Sequence, residues 1–87
     1  MAEGSVTVTT AATLIIAANP GREELIIESD TALLWGISSS LVVTNGINLA
    51  ANDLLTFSID TRVYKGPVYG IVGSGTAHVH YVEILRQ

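Results

Sequence analysis

The sequence predicts a small all-β domain, an antiparallel β-sandwich or jelly-roll-like barrel of about seven to eight short strands. Three observations predict it. Apolar residues alternate with polar ones in short runs, turn signals separate these runs at a spacing of roughly 8–12 residues, and no helix-length segment has a 3.6-residue period. At 87 residues we expect one domain over positions 1–87, with a flexible arm at 1–4. The sequence does not determine the strand order, so it does not distinguish a sandwich from a barrel.

The first third of the chain alternates as half-buried strands do. Residues 5–10 place valines on one face and threonines on the other, and residues 13–17 are apolar and largely β-branched. The turn sequence Asn19-Pro20-Gly21-Arg22 follows, in which Pro fixes φ at the first central position and Gly accepts a positive φ. It predicts a hairpin to a strand over residues 23–29.

The rest of the chain contains further strands. Asn45-Gly46 is the dipeptide most favoured in a type I′ turn, so it predicts a hairpin between residues 41–44 and 47–50. Residues 54–60 are the best candidate for a central core strand. The other predicted strands are residues 32–37, 68–72 and 77–85, and the last of these is apolar on both faces, as is typical of a strand covered on both sides.

The composition combines many apolar residues with few charges. Hydrophobic residues make up 48% of the chain and charged residues 14%, against about 25% charged in a typical soluble protein. Copies of the chain or a larger partner are therefore expected to cover part of the surface, above all the strands at 32–37 and 77–85. The alternative is a neutral surface of Thr, Ser, Asn and Gly.

Several classes of function are disfavoured. The net charge is −4 and the four Lys and Arg residues are scattered, so we expect no nucleic-acid partner. No apolar run approaches the ~18 residues of a membrane span, and the amino end does not read as a signal peptide. The absence of cysteine excludes disulfides and thiolate metal sites. Residues 66–75 lack a dinucleotide or phosphate-loop pattern, so no cofactor is expected.

Catalysis is not expected either. The carboxylates are predicted to be solvated, beside turns or on the polar faces of strands, and neither histidine belongs to a triad motif. His78-Val79-His80 places two imidazoles on one strand face, some 6–7 Å apart, which suits two ligands of one metal. Further ligands are missing, so polar strand residues at a sheet edge or subunit contact are the preferred interpretation. A metal on a three-fold axis and a cupin-like metal enzyme are the alternatives.

Aromatic residues and the two histidines are the candidate contact residues. Tyr64 lies beside Lys65-Gly66-Pro67 and is the better surface candidate, whereas Trp35 fits core packing better. The predicted interface set is Trp35, Tyr64, Tyr69, His78, His80 and Tyr81.

The order of motifs resembles a known family of virion proteins. The motifs are Val6-Thr7-Val8-Thr9, Thr13-Leu14-Ile15-Ile16, the 19–22 turn, Leu25-Ile26-Ile27, an Asn-Gly turn, Pro67-Val68-Tyr69-Gly70-Ile71 and a Gly-Ser-Gly-Thr-Ala turn. This order resembles short phage head decoration proteins. The resemblance implies a small β-sandwich or barrel on the capsid surface of the virion, often a homotrimer, that contacts the major capsid protein and cements the shell. A phage tail or fibre accessory domain, or a receptor- or glycan-binding module using Tyr64 and Trp35, are the alternatives.

Overall fold

Two four-stranded antiparallel sheets make up the computed structural model, which describes residues 2–57 and 64–85. The strands are β1 (Ala2–Val8), β2 (Thr13–Ile16), β3 (Arg22–Ser29), β4 (Leu33–Gly36), β5 (Ile47–Leu49), β6 (Leu54–Phe57), β7 (Val68–Ile71) and β8 (Ala77–Leu85). The first sheet has the order β1-β8-β3-β6 and the second sheet β2-β7-β4-β5. The all-β prediction is confirmed, in its sandwich form. The described part of the chain contains no helix that could span a membrane.

The hydrophobic core lies between the two sheets and is built by alternation. In β3 every second residue from Leu25 to Ser29 is buried, and in β8 Ala77 and Val79 are fully buried. The second sheet contributes Val68, among others, to the same cluster. Because successive side chains of a strand point to opposite faces, the even-numbered residues of β3 and β8 lie on the outside of the first sheet.

The turn at residues 19–22 forms as predicted, but Gly21 does not adopt the predicted positive φ and the turn has a different role. The Arg22 N–H donates to the Asn19 carbonyl oxygen at 3.2 Å, and the Gly21 N–H donates to Asn19 Oδ1 at 2.9 Å. The predicted hairpin is wrong, however, because β2 pairs with β7 in the second sheet and β3 with β8 and β6 in the first. The turn carries the chain from one layer to the other, where both strands bury their apolar faces against the shared core.

The predicted Asn45-Gly46 hairpin is also wrong. Residues 41–44 are not a strand, and β5 pairs with β4, with Trp35 opposite Ile47. The cause is Leu41, which is buried: a Cβ atom placed on Gly46 would lie 3.0 Å from Leu41 Cδ1. Packing of this side chain bends the segment into a turn, which the Val42 N–H closes by donating to Asn45 Oδ1 at 2.9 Å.

Two strand ends also differ from expectation. Residues 54–60 were predicted as a central strand, but β6 lies at the edge of the first sheet, and residues 58–60 lie outside the described residues. The central strands of that sheet are β8 and β3. The arm predicted at 1–4 is a strand from Ala2 onward, since Ala2, Glu3 and Gly4 pair with β8. Met1 lies outside the described residues.

Candidate interaction surface

The outer face of the first sheet carries His78 and His80, which were both predicted as contact residues. It also carries Val82 and Ile84, the outward apolar residues of β8. Register and alternation place four strands' outward side chains on this face. The residues are Glu3, Ser5 and Thr7 of β1, His78, His80, Val82 and Ile84 of β8, Glu24, Ile26 and Glu28 of β3, and Leu54 and Thr56 of β6. We call this set the outer face of the first sheet.

An open groove of about 450 Å³ crosses this face. Its apolar floor comes from Ile26 and Val82, which lie directly opposite each other on β3 and β8, and from Leu54, which is 62% exposed. His80 and Glu28, also directly opposite each other, add polar groups. Apolar contact area with a polar border is typical of protein interfaces.

His78 and His80 are both exposed, as a pair of outward strand residues. The backbone N–H of His78 donates to Asp30 Oδ1 at 2.9 Å, and this hydrogen bond is the main cause that holds the pKa of Asp30 below its usual range. Within residues 2–57 and 64–85 no group of three or more His, Asp or Glu residues could hold a metal ion. The described geometry therefore gives the histidines no further ligands within one copy.

Three of the predicted aromatic contact residues pack against the core. Trp35 meets Phe57 edge to face, with ring centroids 5.7 Å apart, and Phe57 meets Tyr64 at 5.8 Å. The Tyr64 hydroxyl donates to the Pro67 carbonyl oxygen at 2.7 Å, and burial raises the pKa of Tyr64. Tyr81 also packs against the core cluster. These side chains are half-buried, so each offers only part of its surface to a partner.

The second sheet presents separate exposed apolar residues. Tyr69 lies opposite Leu14, which is 44% exposed, on the sheet's outer side. A groove of about 290 Å³ lies near the end of β4, where Trp35 is flanked by Ile37 and Ile47, both 59% exposed. Its border carries polar groups from Ser38, Ser40 and Asn45. The apolar excess predicted at 32–37 is thus exposed at Ile37.

Arg22 and Glu83 form a buried ion pair that the sequence analysis missed, because it assigned the carboxylates to solvated positions. Arg22 Nε donates to Glu83 Oε2 at 2.7 Å, and the two side chains are 0% and 7% exposed. The other guanidinium nitrogens donate to carbonyl oxygens of Ala17, Tyr64 and Gly66 at 2.8–2.9 Å. A signal was present: Glu83 shares the core-facing side of its strand with Ala77 and Val79, where a charge requires a partner.

The described residues on the outside of the two sheets are a mixture of apolar and polar side chains. Apolar side chains, hydroxyls and single charges lie on the outside of both sheets, and the four hydrogen bonds that the Arg22 guanidinium donates are buried or partly buried. Comparison of the chain with protein-family models, with curated proteins and with solved structures finds no match in any of the three.

Proposed function

We propose that the chain is a structural virion protein, a phage head decoration protein that binds the capsid surface as a homo-oligomer and stabilises the shell. The observation that carries the proposal is the exposure of large apolar side chains on a protein with only 14% charged residues. These side chains are Leu14, Ile37, Val42, Val43, Ile47 and Leu54, each 44–62% exposed. The capsid is proposed as the partner because the order of motifs resembles that of phage head decoration proteins.

The outer face of the first sheet is the proposed contact with the shell. It offers an open groove of about 450 Å³, and it contains Ile26, Val82 and Ile84 on β3 and β8, the two central strands, each of which is paired on both sides. A stable protein–protein contact buries about 800 Å² on each partner. Apolar area removed from water contributes roughly 25 cal/mol per Å², and in a shell this gain is repeated at every copy. Such a function requires burial and no reacting group.

The proposal is tested on phage particles purified by density gradient from cells that produce this chain. We expect mass spectrometry to find the chain in the particles, and immunogold labelling to place it on heads. Particles lacking it should release DNA at a lower temperature, and purified protein added back should restore the wild-type value. Absence of the chain from particles would contradict the proposal.

A charge placed on the proposed contact maps the binding face. Leu54→Glu introduces a carboxylate on the outer face of the first sheet, whereas Thr44→Glu introduces the same group at an exposed position outside both sheets. We expect Leu54→Glu to weaken binding to particles at least about tenfold, the effect of 1.4 kcal/mol. Thr44→Glu should bind like the wild type. Equal binding by both variants would argue against this face.

A second candidate function, glycan or receptor binding, is favoured by the groove beside Trp35. Aromatic rings with nearby hydroxyl and amide groups suit sugar rings, and this groove combines Trp35 with Ser38, Ser40 and Asn45. A glycan array tests it: reproducible hits that Ser38→Ala and Ile37→Asp reduce would support this function. In that case, labelling on tails or fibres instead of heads would indicate an accessory domain of the adsorption apparatus.

A further inference from the structure

Strand β1 ends the first sheet with an open backbone edge. Within residues 2–57 and 64–85 its only strand partner is β8, and its seven residues, Ala2–Val8, pair with β8 in one continuous register. We propose that β1 is a self-pairing edge, where two copies of the chain join their β1 strands antiparallel about a two-fold axis at Ser5. The inference deepens the proposed function and rests on it, because it names the contact that makes the protein an oligomer.

The hydrogen-bond pattern shows which backbone groups of β1 are available. The Asp30 N–H donates to the His78 carbonyl oxygen at 3.1 Å, so the backbone groups of His78 face β3. In an antiparallel sheet these groups switch sides at each residue. The odd-numbered residues of β8 therefore face β1, where they are paired with the even-numbered residues Ala2, Gly4, Val6 and Val8. The N–H and C=O groups of Glu3, Ser5 and Thr7 point to the open edge.

The other edge strands carry features that discourage pairing, and β1 does not. Proteins protect sheet edges with short strands, bulges, Pro or Lys. Of the described edge strands, β5 has three residues, β6 has four, and β2 has four with a register shift between Leu14 and Ile16. Strand β1 has seven residues, no Pro or Lys and a single charge, Glu3. Its outward side chains Glu3, Ser5 and Thr7 are exposed.

The sequence of β1 is compatible with a register centred on Ser5. With Ser5 opposite Ser5 of the second copy, Glu3 lies opposite Thr7 and Thr7 opposite Glu3. Each of these three residue pairs exchanges two hydrogen bonds, so all outward backbone groups of β1 are satisfied. A pairing centred on Glu3 instead would place two carboxylates directly opposite each other, which is destabilising. The strand is thus complementary to itself about Ser5.

The joint enlarges the proposed shell contact. Opposed residues of an antiparallel pair point to the same side, so the outer faces of the two first sheets become one continuous face. Glu3 and Ser5 line the groove, so the grooves of both copies meet along the joint. A two-fold joint of this kind produces pairs, in contrast to the trimer that the resemblance implies.

Single cysteines test the joint on a chain that contains none. Ser5→Cys places two Cα atoms about 5.5 Å apart across the axis, which lies within disulfide range. Thr7→Cys on the same exposed edge places them about 13 Å apart along the strands, beyond that range. Under mild oxidation we expect Ser5→Cys to form a disulfide-linked dimer about tenfold faster or more, since pairing raises the effective thiol concentration. Equal rates would overturn the inference.

Proline substitutions provide a second test, read by light scattering at increasing protein concentration. Ser5→Pro removes an outward N–H and leaves the pairing with β8 intact, and Thr56→Pro does the same at the opposite edge, since Leu55 and Phe57 face β3. Ser5→Pro should be a monomer and Thr56→Pro should pair like the wild type. If Ser5→Pro still pairs but the protein binds particles, the joint is refuted and the proposed function stands. If Ser5→Cys cross-links but particles lack the chain, the proposed function fails alone.

Discussion

Removing Glu83 should destabilise the fold strongly, because it leaves the buried Arg22 guanidinium without its counter-ion. The two side chains are 0% and 7% exposed, and Nε and Oε2 are 2.7 Å apart. Breaking a buried ion pair by removing one partner costs about 3–5 kcal/mol. Three backbone carbonyl oxygens still accept hydrogen bonds from Arg22, so we expect Glu83→Ala to lose about 3 kcal/mol, at the lower end.

This loss is large for a chain of 87 residues, whose total stability is on the order of 4–13 kcal/mol. At about 4–8 °C per kcal/mol, Glu83→Ala should lower the Tm by about 12–24 °C. Arg22→Met should destabilise the fold more than Glu83→Ala does. It leaves the buried Glu83 carboxylate without a counter-ion and removes the hydrogen-bond donor of the three carbonyl oxygens. Far-ultraviolet circular dichroism in urea and on heating measures both. The control is Glu3→Ala, which removes an exposed carboxylate and should change stability by less than about 0.5 kcal/mol.

The double variant Arg22→Met/Glu83→Ala measures the coupling between the two side chains. Residues joined by a direct hydrogen bond show interaction energies of about 0.5–3 kcal/mol in such cycles, and here we expect the upper part of that range. The double variant should therefore be clearly more stable than the sum of the single losses implies. A Glu83→Ala protein whose free energy of unfolding lies within about 1 kcal/mol of the wild-type value would refute the reasoning, since leaving a buried charge unpaired costs about 3–5 kcal/mol.

Three further predictions concern stability. Leu41→Ala should cost about 2–3 kcal/mol in urea unfolding because it empties a buried position, whereas Val42→Ala, at a half-exposed neighbour, should cost less than about 1 kcal/mol; equal losses would contradict the packing role of Leu41. Tyr64→Phe should cost about 1 kcal/mol through the lost bond to the Pro67 carbonyl. Because the pKa of Tyr64 is raised in the folded state, the wild type should also lose stability above pH 10.0, where the unfolded chain ionises first, and Tyr64→Phe should lack this contribution. The pKa of Asp30 is lowered in the folded state, so its stabilisation is present above pH 3.8 and is lost as the pH falls through the folded value. Asp30→Asn should therefore be less stable than the wild type at neutral pH and equal to it in strong acid; a constant difference would contradict this assignment.

Local patterns in the sequence predicted the strands well and their partners poorly. Alternation located β3 and β8 within a residue or two, since one buried face imposes a period of two on the side chains. The residue types of a turn do not determine whether the next strand pairs within the same sheet or joins the other sheet. The 19–22 turn has the hydrogen bonds of a tight turn but changes layer, a choice made by the burial of both strands against the common core.

The candidate surface was predicted in part. Period two alone places His78, His80, Val82 and Ile84 on one side of β8, whereas the exposure of the two histidines is a finding of the structure. The burial of Leu41 against Gly36 and Gly46 could not be predicted, because it depends on a contact between a loop and the outside of a sheet. The open edge of β1 requires the strand order, which depends on pairing between residues 2–8 and 77–85 at opposite ends of the chain.

The most direct test of the proposed structural role is the copy number of the chain on gradient-purified phage particles. Quantitative mass spectrometry determines it relative to the major shell subunit. A protein that covers a shell through repeated apolar contacts should occur at a fixed ratio near the number of equivalent surface sites. The ratio should fall when Leu54→Glu replaces the wild type and be unchanged with Thr44→Glu. Particles that carry no copies, or a variable trace unaffected by either substitution, would contradict a structural role on the shell.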